Sequence, residues 1–304
     1  MRVLNSYESG RNIGMAYNSI SEIIEICKED GISFYEAVMR DTCKDTGHSE
    51  EENMTRMSEM WRVMCEASVG YNADLKSRSG LVGGSGRQME AYMKSGDSYC
   101  GEFILTVMAE ALKMGESNAC MKRIVAAPTA GSCGVMPSVY IAVKKNHGFS
   151  DEAIVKSMFV AAGVGQVIAA RAFIAGATGG CQAEIGTAAA MTAAGLVALK
   201  DGTPEQIANA VAMTLKGMLG LVCDPVAGLV EVPCVKRNVT GAANAVVCAE
   251  MALAGIDSAI PVDQVIDAMR EVGDNMPSMY KETACGGCAN TPRGLEVARM
   301  LEKS

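Results

Sequence analysis

The chain has 304 residues, with 27 Lys and Arg against 35 Asp and Glu for a formal net charge of −8, and no basic run forms a stripe that could neutralise phosphates, which excludes nucleic-acid binding. Hydrophobic residues make up 49% and aromatics only 5%, with 32 glycines, a composition that suits closely packed helices of Ala, Val, Ile, Leu and Met better than a β-sandwich. Twelve cysteines in a chain this long, whose start lacks a secretory leader, predict reduced thiols and a metal in a cytoplasmic protein rather than a disulfide framework.

The expected fold class is all-α: one helical domain over 1–304, without an internal linker, whose more polar part covers about 1–76. Helices are predicted over about 17–28, 33–43 and 50–72. In the last, Met54, Met57, Trp61, Met64 and Cys65 recur at three- and four-residue steps and form one apolar stripe, read as core. Residues 77–86, SRSGLVGGSG, break the pattern and form a loop. Helix returns over 102–115. Residues 123–128 are read as extended because Pro128 disfavours the helical basin for Ala127, and residues 129–134 open the next helix.

From 151 to 255, Ala-rich helical segments alternate with glycine breaks at 176–180, 217–220 and 240–241. Thr203 serves as N-cap with Pro204 at the first helical position. The charge-free stretches Ser157 to Ala170 and Ile185 to Leu199 have 14 and 15 residues, short of the roughly 18–20 that a membrane span needs, and read as buried core helices. Two further helices, about 261–273 and 293–302, flank a CGGC turn.

Cys181, Cys223 and Cys234 stand 42 and 11 residues apart, too irregular for a zinc finger and too dispersed for an electron-carrying ferredoxin run. Taken singly, each reads as a buried thiol. Together, in glycine- and proline-flanked loops, they invite a cluster with one iron left open, a Lewis acid suited to dehydration. Two glycine loops have the hydroxyls and close backbone approach of an anion site: Ser77, Arg78, Ser79 and Gly80 with Gly83 and Gly84, and Thr129 to Gly134, including Gly131 and Ser132. Within the second loop, Cys133 reads as a packing residue. Glu184, Asp224, Lys236, Arg237 and Asn238 flank the cysteines, and Asn238 is taken as a candidate substrate contact. His48 and His147 fall in polar stretches and read as surface residues.

Four blocks carry a resemblance over most of the chain: APTAGSCGVMPSVY (127–140), GATGGCQAEIGTAAAMTAAGLV (176–197), CDPVAGLVEVPCVKRNVTGAANAV (223–246) and MPSMYKETACGGCANTP (276–292). In these blocks the sequence resembles the alpha chain, or catalytic domain, of the iron–sulfur L-serine dehydratases. The resemblance implies a [4Fe–4S] cluster held by Cys181, Cys223 and Cys234, and conversion of L-serine to pyruvate and ammonia without pyridoxal phosphate. It also implies a separate beta subunit that brings the base. Single-chain relatives end in a cysteine, whereas this chain runs on to Ser304, which leaves Cys285 or Cys288 as a rival resting-state partner for the open iron. L-Cysteine β-elimination and a non-catalytic redox or sensor role are the alternative readings.

Overall fold

Three serines open the first three helices. Ser19, Ser33 and Ser49 accept from the amides of Glu22, Glu36 and Glu52, and Glu36 and Glu52 return a bond to the serine amide. The starts of α2 (Phe34–Thr46) and α3 (Glu50–Val69) are therefore capped by near neighbours in sequence, whereas the first two amides of α1 (Ile20–Asp30) donate to the distant Asp263 at 2.9 and 3.1 Å. The computed structural model describes residues 17–303. The start of the chain, on which the leaderless reading rests, lies outside the described residues. The predicted stripe on α3 faces inward, with Trp61 and Met64 buried and the Trp61 indole donating to Asp151 at 2.6 Å.

Sequence periodicity does not announce α4 (Ser85–Met93), because its cap is not local. Its first amides, Ser85 and Gly86, donate to the Glu116 carboxylate at 2.7 and 3.1 Å, and Glu116 belongs to α5 (Glu102–Ala119). Residues 122–126 run as coil into the loop that precedes α6 (Val135–His147). There follow α7 (Asp151–Arg171), a single turn α8 (Gly176–Gly179), α9 (Cys181–Leu199), α10 (Pro204–Lys216), α11 (Cys234–Leu253), α12 (Val262–Asn275) and α13 (Pro292–Leu301). No strand forms among the described residues, and the fold is all-α as expected. Thr203 caps α10 with Pro204 in its first turn.

The centre of the protein is α9, which packs against α6, α7, α10 and α11. Its Ala-rich surface is buried nearly all round, the condition in which a helix is apolar on every face. At 21 and 19 residues, α7 and α9 exceed the charge-free stretches inside them and are long and apolar enough to cross a bilayer, yet 61% and 83% of those spans are buried inside the protein. Missing side chains allow the close approach. A Cβ on Gly195 would lie 1.9 Å from the Tyr140 hydroxyl of α6. The predicted break at 240–241 is not a break. Gly241 sits inside α11, where a Cβ would meet Ile185 of α9 at 2.6 Å, so this glycine serves helix contact and not chain reversal.

One buried carboxylate links three helices. Glu110 of α5, 2% exposed, lies 3.0 Å from Lys113 and 2.7 Å from Lys145, and also accepts from Ser68. Burial alone raises its pKa, but the hydrogen bonds from Lys145 and Ser68 and the charges of Lys113 and Lys145 hold it below the ordinary 4.5.

Two stability measurements follow from this packing. Gly195→Ala overpacks the α9–α6 contact and lowers stability by about 1–3 kcal/mol in urea titrations. A depressed carboxyl contributes stability above its unfolded value and loses it as the pH falls through the folded value. Urea midpoints therefore drop on acidification below pH 4.5. Glu110→Gln flattens that limb and costs about 3 kcal/mol at neutral pH, because buried Lys113 then keeps only the half-exposed Glu90 at 3.3 Å as a charged partner.

Candidate metal centre

Two of the predicted thiols begin helices. Cys181 is the first residue of α9 and Cys234 the first of α11, so the positive ends of both helix dipoles face the same kind of anionic group. Gly180 makes the first of these starts possible: at φ +76 it turns the chain into α9 where a Cβ would lie 2.9 Å from the Leu221 carbonyl. Cys223 reaches the site from the loop between α10 and α11. All three cysteines are buried, at 1%, 2% and 5% exposure, which separates them from the exposed Cys285 and Cys288.

The sulfurs of Cys181 and Cys223 and a carboxylate oxygen of Glu184 lie within 4.8 Å of one another, close enough to ligate a metal. Cys234 stands outside that tight group but near enough to feel the charge of Cys181. Its pKa is pushed up to about 12 by burial first, then by Cys181 and Glu184. Cys181 is lowered by a hydrogen bond from Cys223 and, against the cost of burial, by the Arg237 guanidinium, whose Nη1 lies 3.6 Å from its sulfur. Cys223 is raised by that hydrogen bond and by burial. Soft, buried thiols beside a guanidinium form a donor set suited to iron–sulfur ligation. The wall behind Cys223 is Gly176, where a Cβ would sit 2.9 Å from its sulfur.

The loop from Thr129 to Gly134 packs against this group. Thr129 donates to Glu184, and its hydroxyl lies 3.0 Å from that of Ser132. Gly131 leaves the space that Glu184 occupies: a Cβ there would be 2.5 Å from the carboxylate. Burial, followed by the charge of Glu282, raises the Glu184 pKa, and the Thr129 hydrogen bond partly offsets the rise. Asn238 joins the loop to α11. Its amide donates to the Gly131 carbonyl at 2.7 Å and the Cys234 carbonyl at 3.0 Å, and it accepts from the Gly134 amide at 2.8 Å. With its amide engaged on both sides, Asn238 is a strap between loop and helix. Cys133 is buried, with its thiol 3.8 Å from the Met114 carbonyl.

The other glycine loop holds a carboxylate of the protein itself. Ser77 donates to Glu231 at 2.6 Å and Ser79 donates to the same carboxylate, while Gly84 at φ +88 stands before α4. Gly80 and Gly83 also take positive φ, at +75° and +137°, and a Cβ on Gly83 would strike the Leu75 carbonyl at 2.1 Å. The Ser77 and Ser79 hydroxyls of this loop donate to Glu231, which lies in the segment between Cys223 and Cys234. Glu231 escaped sequence reading. Its signal is an acid set among apolar residues in the half GLVEVP of the run CDPVAGLVEVPC. His147 stacks edge-on against Phe103 at the end of α6, and His48 lies 3.9 Å from Glu52. Lys236 is exposed.

The C-terminal segment closes one side. The Cys223 amide donates to the Tyr280 carbonyl and the Glu282 amide to the Cys223 carbonyl, both at 2.8 Å. Asp224 pairs with Arg237 at 2.7 Å and accepts the Cys288 amide at 2.6 Å.

The chain is similar in sequence to known proteins. Residues 29–289 match the family model described as serine dehydratase alpha chain. A Bacillus subtilis protein named "Probable L-serine dehydratase, alpha chain" is 46% identical over 94% of this chain and 95% of its own length. The L-serine dehydratase alpha chain of Peptoniphilus asaccharolyticus is 41% identical over 94% of this chain and 98% of its own. The L-serine dehydratase TdcG of Escherichia coli is 33% identical over 93% of this chain but only 64% of its own length.

Asn238→Ala removes the side-chain partner of the buried Gly134 amide and Gly131 carbonyl, at a cost of about 1–3 kcal/mol in a urea titration. Asn238→Asp retains the acceptor for Gly134 and gives up the donors, so its loss differs from that of alanine in the same titration.

Proposed function

This chain belongs to the serine dehydratase alpha-chain family, and we propose that it is the cluster-binding catalytic chain of an L-serine dehydratase that works with a beta subunit. Cys181, Cys223 and Cys234 would hold a [4Fe–4S] cluster, and Glu184 stands close enough to take part in the site. The observation that carries this reading is the meeting of the Cys181 and Cys223 sulfurs with Glu184 within 4.8 Å. When bound, a cluster with one iron free of protein ligands supplies the Lewis acidity that turns a β-hydroxyl into a leaving group.

The chain's own residues supply the remainder. Thr129 and Ser132 present hydroxyls, and Gly131 gives backbone access, where the serine carboxylate would bind. Glu184, on the same loop face, is the acid that would receive the substrate ammonium. Ser79, Gly80, Gly83 and Gly84 form the second proposed substrate loop; a carboxylate of the protein occupies each loop, Glu231 in this one and Glu184 in the other, and the Thr129 loop is preferred because Glu184 stands beside the thiols. Asn238 acts by holding that loop to α11. Burial of the thiols keeps bulk water from them and strengthens the electrostatic pull on a charged substrate.

Serine would lose its α-proton and β-hydroxyl to give aminoacrylate, which tautomerises and hydrolyses to pyruvate and ammonia. No histidine stands at the site, since His48 and His147 contact Glu52 and Phe103. As the family resemblance implies, the base would come from the beta subunit. All twelve cysteines are free thiols, in keeping with a reducing, cytoplasmic setting.

Chain purified without air is expected to hold about four iron and four sulfide and to form pyruvate from L-serine only with the beta subunit added. Cys181→Ser, Cys223→Ser and Cys234→Ser should each cut activity roughly a hundredfold or more, with matching loss of iron. Parent chain that binds no iron, or forms pyruvate equally well without it, sinks the proposal. A higher kcat/KM for L-cysteine than for L-serine would reassign the substrate.

A further inference from the structure

Asp224 directly follows a proposed ligand and is only 3% exposed, yet both of its partners are distant in sequence. One oxygen lies 2.7 Å from Nη1 of Arg237, and the other accepts the Cys288 amide at 2.6 Å. The same Nη1 lies 2.8 Å from the Val222 carbonyl and 3.6 Å from the Cys181 sulfur. Gly287, at φ +58, forms the notch that seats Asp224: a Cβ there would lie 2.2 Å from the carboxylate. The Cys288 thiol also makes a hydrogen bond to Asp224, which raises its pKa. Cys285 and Cys288 are exposed, and the Cys285 thiol donates to the Thr283 carbonyl at 3.2 Å.

We propose that the turn Cys285-Gly286-Gly287-Cys288 is a backbone clamp on the metal centre: its amide holds Asp224, Asp224 holds Arg237, and Arg237 positions the sulfur of Cys181. The thiols of Cys285 and Cys288 are not ligands. The two N–H groups of Nη1 serve the Val222 carbonyl and the Cys181 sulfur, while Asp224 holds the guanidinium by charge at 2.7 Å, an ion pair without hydrogen-bond geometry. Breaking a buried pair leaves its survivor uncompensated, which gives the clamp force. A hydrogen bond to a ligand sulfur is also one of the means by which a protein sets a cluster's potential. This inference rests on the cluster reading only in naming what Cys181 is positioned for.

The test compares the parent with Gly287→Ala, Arg237→Gln, Arg237→Lys and the double variant Cys285→Ala with Cys288→Ala. Hydrogen exchange of the metal-free chain is followed by mass spectrometry in peptides covering 176–186 and 219–230. Anaerobically reconstituted chain is then followed for reduction potential and for iron retained in air. Gly287→Ala and Arg237→Gln should exchange faster in both peptides, with unchanged exchange in α6 and α7, and lose iron about tenfold faster. Arg237→Gln should lower the potential, and Arg237→Lys should recover part of the shift. The double alanine variant should stay within about twofold of the parent.

Parent-like exchange and iron retention in Arg237→Gln overturn the clamp, as does a double alanine variant that loses iron as fast as Gly287→Ala. Should Gly287→Ala not fold, Arg237→Gln decides alone. A parent that takes up no iron rejects the cluster reading, and the exchange data still decide the clamp.

Discussion

Close approach of α9 to its neighbours is the constraint on which the site depends. Cys181 and Cys234 are the first residues of α9 and α11, and the two sulfur-bearing starts stand together only if those helices pack with little between them. Alanines along α9 and Gly241 on α11 remove the bulk that would hold them apart. Packing at this density leaves small volume changes nowhere to relax. The same feature that makes α9 apolar on every side makes its N-terminus an accurate platform, since a rigid element holds a site more closely than a loop does.

Carboxylates fasten the pieces that helices do not. Glu231 holds the loop of Ser77 and Ser79, Glu184 fills the loop of Thr129, Glu116 caps α4, and Asp224 joins the C-terminal turn to Arg237. Each is an acceptor presented to amides or hydroxyls in a glycine-rich segment. A charged acceptor makes stronger hydrogen bonds than a neutral one, and burial lengthens their reach. The acidic net charge of the chain thus includes structural acids that bind its own backbone. In two places the protein's own carboxylate occupies the kind of loop in which composition alone suggests an external anion.

Electrostatics at the thiols follow from their neighbours. Two helix starts and Arg237 favour negative sulfur, whereas burial and the acids Glu184 and Glu282 oppose it. Cys181 comes out lowered and Cys223 raised because a single proton is shared most favourably when one sulfur accepts and the other donates. A metal core that replaces that proton would neutralise the crowding of acids and thiols, which gives the site a physical reason to bind one.

The all-α class, the cap of α10 and the burial of α7 and α9 were legible in the sequence, because each rests on neighbours within a few residues or on the period of apolar side chains. The four sequence blocks also carried the family. Tertiary structure alone decided that α4 exists, that Gly241 lies inside a helix, that Asn238 is a strap, and that Glu231 and Glu184 occupy the two glycine loops. All of these depend on partners brought from far along the chain: Glu116 to Ser85, Ile185 to Gly241, Glu231 to Ser79 and Asp224 to Cys288. A local pattern fixes which backbone groups need a partner, but the partner is chosen by packing, and packing is a property of the whole fold.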